Sequence, residues 1–276
     1  MIISSELFDA YLKCPTKCYL KARGEIGAGN TYAQWVKNQD ETFRSDGIRC
    51  LTKESDPDWF FNGPAESKIF KTTKWRLAIN LKAEAQNLKS TIHAVERVPS
   101  EGRGKPAQFI PMRFVFNNKL TKNDRMLSAF DALVLSKILE RKVSLGTSIH
   151  GDNYEMVKVK TYTLAREVRK QVEKINTLLS NNLPPDLILN RHCTECEFQE
   201  QCRQRAIEKD ELSLLAGMTE KERKKLNGKG IFTITQLSYI FRPRRRPKRM
   251  RDRQEKYHHS LKALAIREKK TQGRIG

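Results

Sequence analysis

Apolar residues recur along the chain at two periods, and the switches between them mark out its elements. Leu7, Phe8, Tyr11 and Leu12 follow Ser4 at helical spacing, so a serine-capped helix is expected over 1–23, with Pro15 ending or restarting it. The glycine-rich run 24–30 breaks the pattern, and a second helix is expected over 31–44 with Trp35 on its buried side. Turn residues cluster over 55–64, in Asp56-Pro57 and Asn62-Gly63-Pro64. Alternating stretches then predict strands at 74–81, 90–98 and 108–116, the last two joined as a hairpin around the polar, glycine-rich run 99–104.

Met126, Leu127, Phe130, Leu133, Val134 and Ile138 form one apolar face of a helix capped by Thr121 or Asn123 and reaching about Glu140. A short strand or turn pair is expected over 148–161 and a helix over 164–179, which Asn182-Leu-Pro-Pro-Asp186 stops. Helix, strands, helix, strand, helix predicts an α/β chain: a mixed sheet flanked by helices, over 1–205. A small helical appendage follows at 206–240, then a basic arm and linker helix at 241–276.

A chain of 276 residues can bury a core. Its formal charge of +21 points to a polyanionic partner, chiefly nucleic acid, held through counterion release. A membrane surface attracts the same charge, but no run of 18 apolar residues occurs, and Met-Ile-Ile-Ser-Ser-Glu is not a signal sequence. An intracellular, cytoplasmic protein is expected, in which clustered cysteines hold metal rather than disulfides.

Those cysteines are Cys193, Cys196 and Cys202, in a C-x2-C-x5-C array. Two thiolates three positions apart can reach one centre, and a third leaves one corner of a tetrahedron for a ligand from elsewhere. Cys14, Cys18 and Cys50 are the remaining thiols, and Cys14 is favoured because Pro15 leaves it at a turn. Zn²⁺, with His192 as a possible ligand, and an iron–sulfur cluster both suit such a set. The alternative is that these cysteines are simply buried or disulfide-bonded.

Cys14-Pro-Thr-Lys-Cys-Tyr-Leu followed far downstream by the 193/196/202 array resembles the iron–sulfur branch of the RecB-like nucleases, in the PD-(D/E)XK superfamily. The likeness covers roughly 1–205 and implies a [4Fe-4S] cluster on Cys14, Cys193, Cys196 and Cys202. The chain is also similar to the N-terminal part of longer proteins in which such a module precedes an RNase H-like nuclease and a helicase.

The resemblance also says where a Mg²⁺-dependent centre belongs: an acid on one strand and an acid-x-lysine pair on the next. The matching stretch His93-Ala-Val-Glu96 has histidine in place of aspartate. In Phe109-Ile-Pro-Met-Arg113, Pro111 falls at the acid and Arg113 at the lysine. Proline cannot ligate Mg²⁺ and arginine cannot act as a base, although it can hold a phosphate. A glutamine and a tyrosine usual on the following helix correspond to Leu127 and Asp131. His93, Glu96, Arg113 and Asp131 thus mark a degenerate centre; a rival reading keeps Glu96 and Asp131, with Glu84, as metal ligands in an active Mg²⁺-dependent DNA exonuclease. A third reading is a zinc-stapled interaction domain.

Leu214 to Leu237 resembles a helix-hairpin-helix DNA-binding unit, in which Gly217-Met-Thr219 turns into a helix whose free amides can take a phosphate beside Lys221. Arg242, Arg244, Arg245, Arg246, Lys248, Arg249, Arg251 and Arg253, against Asp252 alone, make an extended arm suited to a phosphate backbone. The combined expectation is a cluster-bearing protein that grips DNA, single-stranded or forked, for a helicase or RNase H-like nuclease partner.

Overall fold

The computed structural model describes residues 2–52, 60–65, 70, 75–99, 106–181, 183–241 and 259–272, with backbone alone for 60–65 and 270–272. They fall into two compact units, Met1–Ile26 with Thr31–Pro185, and Gly27–Asn30 with Asp186–Gly276. The cysteine array therefore groups with the C-terminal helices, and the division comes earlier than the expected boundary at 205.

In the first unit, Ser4 caps α1 (Ser5–Lys13), its side chain accepting the Leu7 N–H at 3.1 Å. Cys14 is extended, and Pro15 begins α2 (Pro15–Ala22) at a position where its missing N–H costs little. The next helix, α3 (Thr31–Thr52), outruns its expected end.

Seven described strands form one sheet. They are β1 (Ile3–Ser4), β2 (Phe60–Ala65), β3 (Leu77–Ala85), β4 (Leu88–Val98), β5 (Gln108–Val115), β6 (Leu145–His150) and β7 (Glu155–Lys160). The order runs from β2 to β7 in sequence, with β1 parallel to the start of β4. The β1/β4, β2/β3 and β5/β6 pairs are parallel and the remainder antiparallel, so the mixed sheet flanked by helices is the fold observed. α4 (Lys122–Ile138) and α5 (Thr161–Ser180) cover one face together with α1; Phe8 stacks on Phe130 there at 4.5 Å between centroids. Phe43, Ile48 and Leu51 of α3 pack the other face against Ala94, Met112, Phe114 and Ile149.

Two expectations change. Trp35 is half exposed, because α3 meets the sheet through Phe43, Gly47, Ile48 and Leu51 instead. Asn62-Gly63-Pro64 lies inside β2, whose register shifts between Asn62 and Pro64; an end strand with a bulge tolerates proline. Asp56-Pro57 and the loop residues 100–104 lie outside the described residues.

The second unit holds α6 (Gln199–Glu208), α7 (Glu220–Asn227), α8 (Ile234–Tyr239) and α9 (His259–Gln272). Leu212, Leu215, Ile234, Leu237 and Ala263 form its core. The expected linker helix is thus α9, a packed member of the appendage, with Ala263 fully buried and Lys262 Nζ on the Ala216 carbonyl at 2.8 Å. Among the described residues no helix is long and apolar enough to cross a membrane.

Gly47 lets α3 lie flat on the sheet, since a Cβ there would stand 2.3 Å from Phe114 Cε1 and 3.1 Å from Tyr154 Cε1. Gly47→Val is expected to destabilise the chain by about 1–3 kcal/mol through overpacking. Urea denaturation measures it, and a variant as stable as wild type would show that α3 does not pack this closely.

Candidate functional site

The sheet opens between β4 and β5. These strands pair from Val98/Gln108 to Ala94/Met112 and then part, β5 continuing beside β6 while β1 takes up the start of β4. Where they part, Ser90 of β4 and Arg113 of β5 both reach Asp131, and the His93 ring of β4 meets the backbone of Phe114 of β5.

Arg113 turns toward α4 and closes on Asp131. Its Nε donates to Oδ2 and its Nη2 to Oδ1, both at 2.8 Å, and the Ser90 hydroxyl donates to Oδ1 at 2.5 Å. Asp131 is fully buried and the Arg113 side chain 12 % exposed, so the carboxylate is satisfied in a site sealed from water. Burial works against the Arg113 charge, but the attraction and hydrogen bonds of Asp131, with Asp9 and Asp124 behind them, raise its pKa above the ordinary arginine value.

His93 has a different task. Its Nδ1 accepts the Phe114 N–H at 3.1 Å, and the ring lies nearly parallel to that of Phe114. The imidazole takes the backbone hydrogen bond that β4 no longer supplies. Burial, then the positive charges of Arg113 and Arg44, push its pKa well below the usual histidine value, so it is neutral.

Glu96 stands apart. It lies directly opposite Leu77 and Ile110, and Leu77 belongs to the α3 face, whereas Arg113 and Asp131 meet on the α4 face. Glu84 is exposed and 3.9 Å from Lys89. The structure therefore brings Arg113 and Asp131 together, with Ser90 added, and does not gather Glu96 and Asp131 around one ion.

Three carboxylates near this opening escaped the sequence reading. Asp9 pairs with Lys13 at 2.9 Å, Asp124 closes the capping box with Thr121, and Asp40 lies within electrostatic reach of Lys13, Asp9 and Asp124. Partial desolvation, and then Asp9 and Asp124 against the pull of Lys13, push the Asp40 pKa upward.

The cysteine segment is built locally. Asn190 caps a short 3-10 turn (Arg191–Glu195), Cys193 Sγ accepts the Asn190 N–H at 3.2 Å, and the Cys196 N–H donates to the Cys193 carbonyl. Asn30 Nδ2 donates to the Thr194 carbonyl at 3.0 Å and to Gln199 Oε1 at 2.5 Å. A Cβ on Gly27 would stand 2.3 Å from the Glu197 carbonyl oxygen. Gly27–Asn30, read from the sequence only as a helix breaker, thus straps this segment. Two thiols at the strapped turn and a third in α6 are soft donors suited to zinc or an iron–sulfur cluster, yet among the described residues no group of three or more His, Cys, Asp or Glu is arranged to hold a metal ion. Of the N-terminal thiols, Cys18 lies in the core with its pKa pushed up to about 12 by burial and then by Cys14. Cys50 is exposed on α3, and Cys14 is partly exposed between α1 and α2.

The expected phosphate site at α7 is closed. Thr219 Oγ1 accepts the Glu222 N–H, while the Glu222 carboxylate accepts the Thr219 N–H and hydroxyl, so a fixed negative charge sits over the amides meant for an anion. Lys221 is exposed beside it. The arm cations from Arg242 to Arg253 lie outside the described residues. No protein-family model matches the chain, and no curated protein matches it.

Asp131→Ala strands a buried guanidinium and is expected to cost on the order of 3–5 kcal/mol, whereas Arg113→Met with Asp131→Leu recovers most of the loss. Chemical denaturation of the three proteins tests this; equal losses in both variants would mean that the pair is not coupled.

His93 gives a pH dependence of definite sign. Its folded pKa is depressed, so its contribution is complete above about 6.5 and is lost as pH falls, at up to about 1.4 kcal/mol per unit. Replacing it in His93→Gln, which keeps an acceptor for the Phe114 N–H, should flatten the stability profile between pH 6.5 and 5. An unchanged slope would remove His93 as its cause.

Proposed function

We propose that the chain is a DNA-binding protein of RecB-like, PD-(D/E)XK build whose cleavage centre has been given over to structure. On this reading it works on single-stranded or forked DNA beside a helicase or an RNase H-like nuclease. The observation that carries it is the closed Arg113–Asp131 pair: the residue at the lysine position is spent on a buried carboxylate, Pro111 stands at the acid, and Glu96 faces away. A net charge of +21 supplies affinity for a phosphate backbone without base recognition.

The same proposal assigns Cys14, Cys193, Cys196 and Cys202 to a [4Fe-4S] cluster, with Zn²⁺ as the competing metal. Supporting it are the strapped turn and the helix after it, which carry three of the thiols, and the core position of Cys18, which leaves Cys14 better suited than its neighbour as the fourth. Such a group would act as a staple between distant parts of the chain.

The test is one preparation of the full chain incubated with end-labelled single-stranded and forked DNA in Mg²⁺ and then Mn²⁺. Expected are salt-sensitive binding, no shortened product, and iron with acid-labile sulfide in elemental analysis. Mn²⁺-dependent degradation abolished by Glu96→Ala would establish the active exonuclease instead, and zinc without sulfide would establish the zinc-stapled domain.

A further inference from the structure

The exposed face of α5 is a ridge of cations. Thr161, Val168 and Ile175 are buried, and Leu164, Val172 and Leu179 pack beside them, which fixes how the helix lies on the core. Arg166, Lys170 and Lys174 come four residues apart on the side opposite Val168, all three exposed. At 1.5 Å per residue they stand about 6 Å apart along the axis. Together with Thr163, Glu167 and Gln171 they line an open groove of about 460 Å³. Glu167 is neutralised by Lys122 at 2.6 Å, whereas no ion pair engages Arg166, Lys170 or Lys174 among the described residues. Glu173 is the other acid bordering the ridge. Tyr162, one turn before Arg166, is 58 % exposed.

We infer that this ridge is a binding surface for the backbone of single-stranded DNA, with Tyr162 as a stacking platform for an unpaired base at its end. The inference rests on the DNA-binding reading and deepens it by giving the first unit a contact of its own, separate from the arm at 242–253. Charge complementarity selects the ligand: three exposed cations in a row, about 6 Å apart and engaged by no ion pair among the described residues, match a repeating anion. The exposed ring selects a single strand over a duplex, because only unpaired bases can stack on it.

The experiment is fluorescence anisotropy with a labelled 30-nucleotide oligothymidylate across a KCl series, on wild type and on Arg166→Gln/Lys170→Gln/Lys174→Gln. Thermal unfolding checks that the variant is folded; Lys170→Gln alone serves if it is not. Removing three phosphate contacts is expected to weaken binding roughly tenfold or more and to lower the slope of log K against log salt by about 2, at about 0.7 per contact. The single change should lower it by about 0.7. Lys37→Gln/Arg49→Gln, which removes exposed cations already paired with Glu41 and Asp46, should leave the slope unchanged. Tyr162→Ala should lower the preference for the single strand over a 30-base-pair duplex. A folded triple variant with wild-type affinity and slope overturns the ridge while leaving DNA binding standing, as does one that loses only its affinity for anionic vesicles. A duplex preferred by wild type overturns the single-strand assignment. Wild-type protein that binds no oligonucleotide overturns the parent reading together with the ridge.

Discussion

The bidentate pair between Arg113 and Asp131 is the constraint on which the first unit turns. It joins the middle of the sheet to the helix covering it, at the place where β4 and β5 part. Neither charge is tolerable in that position without the other. Burial, and then the guanidinium fixed beside it, hold His93 neutral, and a neutral imidazole has the lone pair that Phe114 needs for its N–H. The opening in the sheet is filled by groups that satisfy one another.

Much of this was legible in the sequence, and the limits have physical causes. Ser4, Thr121 and the apolar face from Met126 to Ile138 announced α1 and α4, because caps and 3.6-residue periodicity are local signals. The partnership of Arg113 with Asp131 was not legible as a pair, although both residues were singled out. It depends on which face of β5 meets α4, and a central strand buried on both sides loses the alternation that reveals its faces. β4 shows the difficulty: Ala94 and Val95 are adjacent, both buried, and belong to different clusters. Trp35 misled for the opposite reason, since an aromatic ring on a helix signals burial even where Phe43 and Gly47 make the real contact.

The cysteine segment shows a related limit. Spacing identified the three thiols, but Gly27 and Asn30, which hold their turn in place, lie more than 160 residues away in sequence and announce themselves only as glycine-rich punctuation. The role of Gly27 comes from a missing side chain: the Glu197 carbonyl occupies the space that any Cβ would need. The same lesson, reversed, applies to α7. Gly217-Met-Thr219 reads as an anion cradle until Glu222 is seen folding back onto the cap, and the identity of the residue three places into the helix then decides the matter.

Burial and charge together divide the charged groups of the first unit into a self-neutralised interior and a basic exterior. A hydrolytic centre needs carboxylates free to hold a metal and a cation free to meet the phosphate. Here Asp131 and Arg113 cancel one another, and Asp9 and Asp124 are engaged by Lys13 and Thr121. On the outside, α5 presents three exposed cations in register that no ion pair engages among the described residues. Interior charge that neutralises itself offsets the cost of burying it, while exterior charge in excess raises the attraction of the surface for polyanions.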